Sequence, residues 1–186
     1  MNYPAKTIRL RDGRTCTLRI PCAADADAMI AYLRTIASET EYILWSPQEP
    51  FPTVEREIAY IESLVNSPQA LCLLADVEGE VAGNCQISFN AKQKIAHRSS
   101  IAIALKRKFW GLGIGSALLR ELLDEAERRG VRQTELDVVA ENVRARALYE
   151  KMGFEAVAVL PAAIRFTDGT LHDELHMIRI NTKKEN

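Results

Sequence analysis

The stretch Phe109–Leu119, FWGLGIGSALL, limits the fold more than any other part of the chain. Glycine stands at 111, 113 and 115, between an aromatic pair and an apolar run with helical spacing, Leu118, Leu119, Leu122, Leu123 and Ala126. A helix start leaves backbone N–H groups without partners and carries a partial positive charge. A preceding loop stripped of side chains lets those amides converge on an anion, so the stretch predicts a strand-to-helix turn able to cradle phosphate. A tight turn with no ligand would use the same glycines. Two familiar cradles fit badly. A Walker loop ends in Gly-Lys-Ser/Thr, and here Gly115 is followed by Ser116-Ala117. A dinucleotide fingerprint has its third glycine where Ser116 stands, within a repeating βαβ pattern that is missing here.

The rest of the chain supplies alternating and helical segments around that turn. TIRL and TCTLRI flank Asp12-Gly13 and read as a hairpin. Asp25 is expected to cap a helix with Met29, Leu33 and Ile36 on one face, and Thr53 a second with Val54, Ile58, Ile61 and Val65. LCLLADV, VAGNCQISF and SSIAIAL read as an antiparallel meander turning first at Glu78-Gly79. The helix after the glycines carries Asp124–Arg128 and Glu125–Arg129 pairs on its wet side and ends at Gly130. TELDVV is a strand, and Asn142 opens a helix with Ala145, Leu148, Tyr149 and Met152 on one stripe, closed by Gly153. FEAVAVL and ELHMIRI are two final strands about the Asp168-Gly169 turn, and 180–186 is expected to fray. This succession predicts an α/β (α+β) protein with a mixed, mostly antiparallel central sheet of about seven strands flanked by helices.

Composition narrows the function classes. The 186 residues suit one domain, 1–186, and 24 basic against 25 acidic side chains leave a net charge of -1. No nucleic-acid or membrane partner is expected from that balance. Cys16, Cys22, Cys72 and Cys85 form no CxxC pair and the three histidines are scattered, so neither a metal site nor a disulfide framework is expected. MNYPAKTIRLRDG has no apolar core like that of a signal peptide, and the chain reads as cytoplasmic.

The second motif, LDVVAENVRARALYEKMGFE, taken with the glycine loop, resembles the Gcn5-related N-acetyltransferases (GNAT). That family's pattern is a Gln/Arg-x-x-Gly-x-Gly/Ala loop, a helix, a strand, then Asn-x-x-Ala-x-x-Leu-Tyr-x-Lys-x-Gly-Phe. Gly113, Ile114 and Gly115 match the first part; Asn142, Ala145, Leu148, Tyr149, Lys151, Gly153 and Phe154 match the second. The chain departs from the pattern at Trp110, where Gln or Arg is usual, so holding phosphate falls more to backbone amides.

The resemblance implies the acyl-CoA acyltransferase fold and acetyl transfer from acetyl-CoA to a primary amine of a small molecule or peptide, by direct attack in a ternary complex. It places Ile103 and Leu105 along the thioester and pantetheine arm, and Gly111, Gly113, Ile114, Gly115 and Ser116 around the pyrophosphate. Asn142 matches a helix cap that also bonds the cofactor, and Tyr149 matches the usual proton donor to the leaving thiolate. Tyr149 would also serve simply to fill its helix's inner stripe. For the base, Asp137 stands where ribosomal-protein Nα-acetyltransferases carry a glutamate; Ser99, at another branch's glutamate position, cannot serve. Glu39 and Glu41 are rivals and, with Tyr42, Trp45, Pro47 and Phe51, belong to the implied acceptor side; His97 is a weaker candidate. DGTLHDELHMIRI resembles the closing strands of members acting on small amines or amino acids. An idle acyl-CoA-binding regulatory module is the alternative, a nucleotide-binding dehydrogenase is disfavoured by Ser116, and a homodimer is left open.

Overall fold

Residues 3–181 are described by the computed structural model. Strands β1 (Lys6–Arg9) and β2 (Thr15–Arg19) pair antiparallel about the Asp12-Gly13 turn. Helices α1 (Ala26–Glu39) and α2 (Val54–Asn66) follow, and their apolar stripes, Met29, Tyr32, Ile36 and Ile61, pack on Leu74 and Val81 of the sheet. Thr53 caps α2 as expected, its hydroxyl accepting the Arg56 amide at 3.4 Å. Asp25 makes no side-chain cap. Its carboxylate instead takes both terminal nitrogens of Arg19 at 2.7 Å and the Cys22 amide at 2.7 Å. The guanidinium holds this carboxyl below the usual range, and a two-pronged charged pair outcompetes a single capping bond.

The meander β3 (Ala70–Val77), β4 (Glu80–Phe89) and β5 (Arg98–Leu105) forms as read. Strand β3 is buried along almost its whole length because helices cover both faces of the sheet there. On the second face, α3 (Ile114–Arg128) drives Leu118, Leu119, Leu122 and Ala126 against Cys85, Ile87 and Ile101. Arg128 and Arg129 both pair with Glu125 at 2.7 Å, so Glu125, not Asp124, is the partner of Arg128. After β6 (Gln133–Val139) and α4 (Val143–Lys151), strands β7 (Glu155–Arg165) and β8 (Leu171–Ile180) complete the sheet. Its eight strands, against the seven or so expected, run β1-β2-β3-β4-β5-β6-β8-β7. Among the described residues only the β5–β6 neighbours are parallel. The expected fraying does not begin at 180: Ile180 belongs to β8, and Asn181 is buried, its amide on Arg132 O at 2.8 Å and its side chain on Val131 O at 3.0 Å. Residues 182–186 lie outside the described residues.

One close approach in β4 has a measurable consequence. A Cβ on Gly83 would lie 2.6 Å from Ala104 O and 2.7 Å from a Leu105 methyl, so β4 and β5 pass too near for any side chain. Gly83→Ala is therefore expected to cost about 1–3 kcal/mol, the range for overpacking a filled interior, read as a lower melting temperature. An unchanged melt would mean that the strands separate there freely.

Candidate active site

Strand β5 pairs with β6 at only three positions, Arg98↔Gln133, Ser99↔Thr134 and Ser100↔Glu135. A buried Ser99–Thr134 hydroxyl pair at 3.0 Å pins the closed end, and beyond it the two strands part. Lys106 donates its amide to Ala82 O in β4 at 2.9 Å. Since strand amides alternate in direction, those of Ile103 and Leu105 point to the other edge, toward the gap that β6 leaves. Backbone donors thus line one wall of an opening in the sheet.

The glycine turn stands at the end of that wall. Gly113, at φ +99°, is the N-cap of α3, a conformation that other residues rarely adopt, and a Cβ there would meet nothing within 4 Å. The first helical bond runs from Ala117 N to Gly113 O, leaving the amides of Ile114, Gly115 and Ser116 at the helix mouth. Gly115 does a different job: its Cβ would press on Leu105 and Leu148 methyls at 3.1 Å, so its absence lets α3 sit close to β5 and α4. The hairpin braces the loop, with Arg11 donating its amide to Leu112 O at 3.3 Å and its guanidinium to Gly111 O at 3.2 Å. Trp110 packs on the end of β5, donating its indole N–H to Leu105 O at 2.8 Å. The guanidinium groups of Arg144 and Arg107 lie 4.8 and 5.6 Å from the centre of its ring, so positive charge gathers where the usual Gln or Arg is missing. An amide-lined, open and positively flanked turn suits a pyrophosphate.

On the α3/α4 face, Asn142 opens α4 with its side chain accepting the Ala145 amide at 3.2 Å. Tyr149, about two turns beyond Asn142, is 6% exposed and packs edge-on against Phe154 at 6.0 Å. Burial chiefly, helped by Cys85, pushes its phenol up, which keeps the proton on the oxygen at neutral pH.

The opposite face carries the acids. Alternation along β6 puts Glu135 and Asp137 there, away from Thr134. Asp137 pairs in register with His176 on β8, and its Oδ1 lies 2.7 Å from His176 Nδ1. His176 Nε2 is 3.6 Å from Glu135 Oε2, and Glu135 in turn binds Arg98 at 2.6 Å. Glu174, two residues along β8, has its carboxyl raised first by burial and then by the negative charge of Asp137. Glu39 and Glu41 lie apart from this group. Glu39 accepts the Arg107 amide at 2.7 Å, and Glu41 accepts the hydroxyl and amide of Thr167 at 2.5 and 3.2 Å. Tyr42 sits 5.9 Å from Phe166 and Trp45 stacks on Phe51 at 5.7 Å, building an aromatic rim between α1 and the β7–β8 turn. His97 is exposed, and its carbonyl accepts the Arg132 and Gln133 amides. His176, Glu174 and the Arg98–Glu135 pair were not among the sequence candidates; the only sign of them was the alternation in ELHMIRI that sets Glu174 and His176 on one face.

Comparison with known proteins gives this geometry a family. A model of the acetyltransferase (GNAT) family matches residues 31–154. The L-amino acid N-acetyltransferase AaaT of Escherichia coli (strain K12) is 27% identical over 124 residues, 66% of this chain and 75% of that one. The [ribosomal protein bS18]-alanine N-acetyltransferase of the same organism is 35% identical over 103 residues, 51% of this chain and 70% of that one. The structure of yncA from Salmonella typhimurium, solved with its cofactor acetyl-CoA, shares the fold at a TM-score of 0.77 and 20% identity, covering 92% of this chain and 96% of that one. The protein belongs to the GNAT family and is an acetyl-CoA-dependent N-acetyltransferase.

Proposed function

We propose that the acetyl group passes directly, within a ternary complex, to the free α-amine of an amino acid or of a peptide N-terminus that approaches over the Asp137 face. The observation that carries this is the gap after the three-position β5–β6 ladder, with the glycine turn at one end, Tyr149 on one face and an acidic, histidine-bearing patch on the other. An amine approaching from the second face would meet its reaction partner across the sheet. The named activities of the relatives, on L-amino acids and on an alanine of a ribosomal protein, favour this acceptor class.

Acetyl-CoA, when bound, supplies an acetyl group activated as a thioester. In our assignment the amides of Ile114, Gly115 and Ser116, freed by Gly111 and Gly113, hold its phosphates, with Asn142 bordering the same cleft. The amide of Leu105 holds the pantetheine arm, and that of Ile103 faces the acetyl carbonyl. A backbone donor aimed at developing negative charge is typically worth about 3 kcal/mol in the transition state. Tyr149 holds a proton on its phenolic oxygen and gives it to the departing sulfur. Glu39 and Glu41, already engaged, shape the cleft, with Tyr42 at its rim, rather than moving protons.

The test is a panel of L-amino acids, a peptide with an N-terminal alanine, and a polyamine, each incubated with acetyl-CoA and read by mass. An acetyl adduct on the α-amines is expected. CoA-dependent stabilisation with no adduct on any amine would favour the idle acyl-CoA-binding module, and modification of the polyamine alone would move the acceptor class.

A further inference from the structure

We propose that His176 is the base that takes the proton from the incoming ammonium, and that Asp137 is the residue that orients it. This rests on the reading of the Asp137 face as the acceptor side. A carboxylate only accepts hydrogen bonds, so the 2.7 Å contact between Asp137 Oδ1 and His176 Nδ1 requires a proton on Nδ1. In the neutral ring the lone pair then sits on Nε2. That nitrogen is uncommitted: Glu135 Oε2, at 3.6 Å, is beyond hydrogen-bonding distance and is held by Arg98 at 2.6 Å. The ring's side chain is 27% exposed, open enough for a water or an amine to reach it.

The surroundings favour this role over direct action by Asp137. Asp137 is the shorter group, is half exposed, and already has one oxygen committed to the ring. Imidazoles as a class accept protons near neutral pH, where carboxylates are weak bases. The charged groups facing the ring are Asp137 and Glu135 from β6, Arg98 from β5 through Glu135, and Glu174 on its own strand; β7 presents Ala158 opposite.

The step balances. An N–H bond of the ammonium breaks and its electron pair stays on nitrogen, which becomes the nucleophile. The proton crosses one bridging water to Nε2, and the resulting imidazolium points one N–H at Asp137 and the other toward Glu135. It returns the proton to solvent after product leaves.

Single-turnover acetylation of an alanine-N-terminal peptide, followed across pH, distinguishes the roles in wild type, His176→Gln, His176→Ala and Asp137→Asn. His176→Gln keeps an amide able to donate to Asp137 but has no basic nitrogen. Its rate is expected to fall on the order of 10²-fold and to lose the limb of the pH profile that reports the base. Free imidazole should restore part of the rate to His176→Ala, which a merely structural role would not allow. Nitrogen NMR of the wild-type ring, which requires no acceptor, should show the Nδ1–H tautomer, and Asp137→Asn should abolish that preference. A wild-type rate and pH profile in His176→Gln, an Nε2–H tautomer in wild type, or no imidazole rescue would each overturn the proposal while leaving the acceptor reading intact. A wild-type enzyme that acetylates no amine would overturn the acceptor reading, and the role of His176 with it.

Discussion

Tyr149→Phe is expected to leave acetyl-CoA affinity nearly unchanged while single-turnover transfer falls by about 10²–10⁴-fold. The substitution removes one oxygen and keeps the ring that packs on Phe154, so little stability should be lost. The lost oxygen is the only one in Tyr149 that carries a transferable proton, and burial keeps that proton in place at neutral pH. A free thiolate is a weaker base than a phenolate, so the phenol is expected to act by donating while the carbon–sulfur bond breaks, its proton being restored by the one the nitrogen sheds as the amide forms. Steady-state rates would hide the loss wherever product release limits turnover, so the rate must be taken on a single turnover. A wild-type single-turnover rate in Tyr149→Phe would show that the sulfur leaves by another route, and the motif would then be a packing device here.

The second large effect is expected at the glycine turn. Bound at 100 times its dissociation constant, a ligand specific for the folded state adds about 2.7 kcal/mol of stability, which appears as a higher melting temperature. Gly113→Glu should abolish most of that rise with CoA, because a carboxylate would stand at the helix mouth where phosphate is to bind. The variant also forces a side chain into a φ of +99°, at a cost of about 1–3 kcal/mol regardless of ligand. Gly113→Ala separates the two effects. It carries the same strain and its Cβ meets nothing within 4 Å, so it should melt lower but still respond to CoA. A full CoA response in folded Gly113→Glu would remove the turn from cofactor binding.

The elements legible in the sequence were those encoded locally. The glycines, the Thr53 and Asn142 caps and the alternating apolar runs each act within a few residues, and each formed. Features set by pairing between distant strands were not legible. Asp137 and His176 are 39 residues apart and meet only because β8 lies between β6 and β7. The single sheet of eight strands, the burial of Asn181 and the diversion of Asp25 to Arg19 likewise depend on neighbours that no local pattern names. Trp110 taught the same lesson in reverse. The missing Gln or Arg looked like a lost charge, yet Arg144, from the following motif, lies over the indole.

The strand order also bears on how the protein can be made. During synthesis β7 emerges before β8, but in the finished sheet β8 lies between β6 and β7. Until it inserts, β6 has an open edge, and β7 has no partner for its exposed Val157, Val159 and Leu160. A nascent chain paused in this interval would already hold the glycine turn and Tyr149, but not His176, and would present two unsatisfied strand edges. Such edges invite pairing with other chains. The interval with two open edges closes when β8 pairs with both neighbours, the same event that brings His176 beside Asp137.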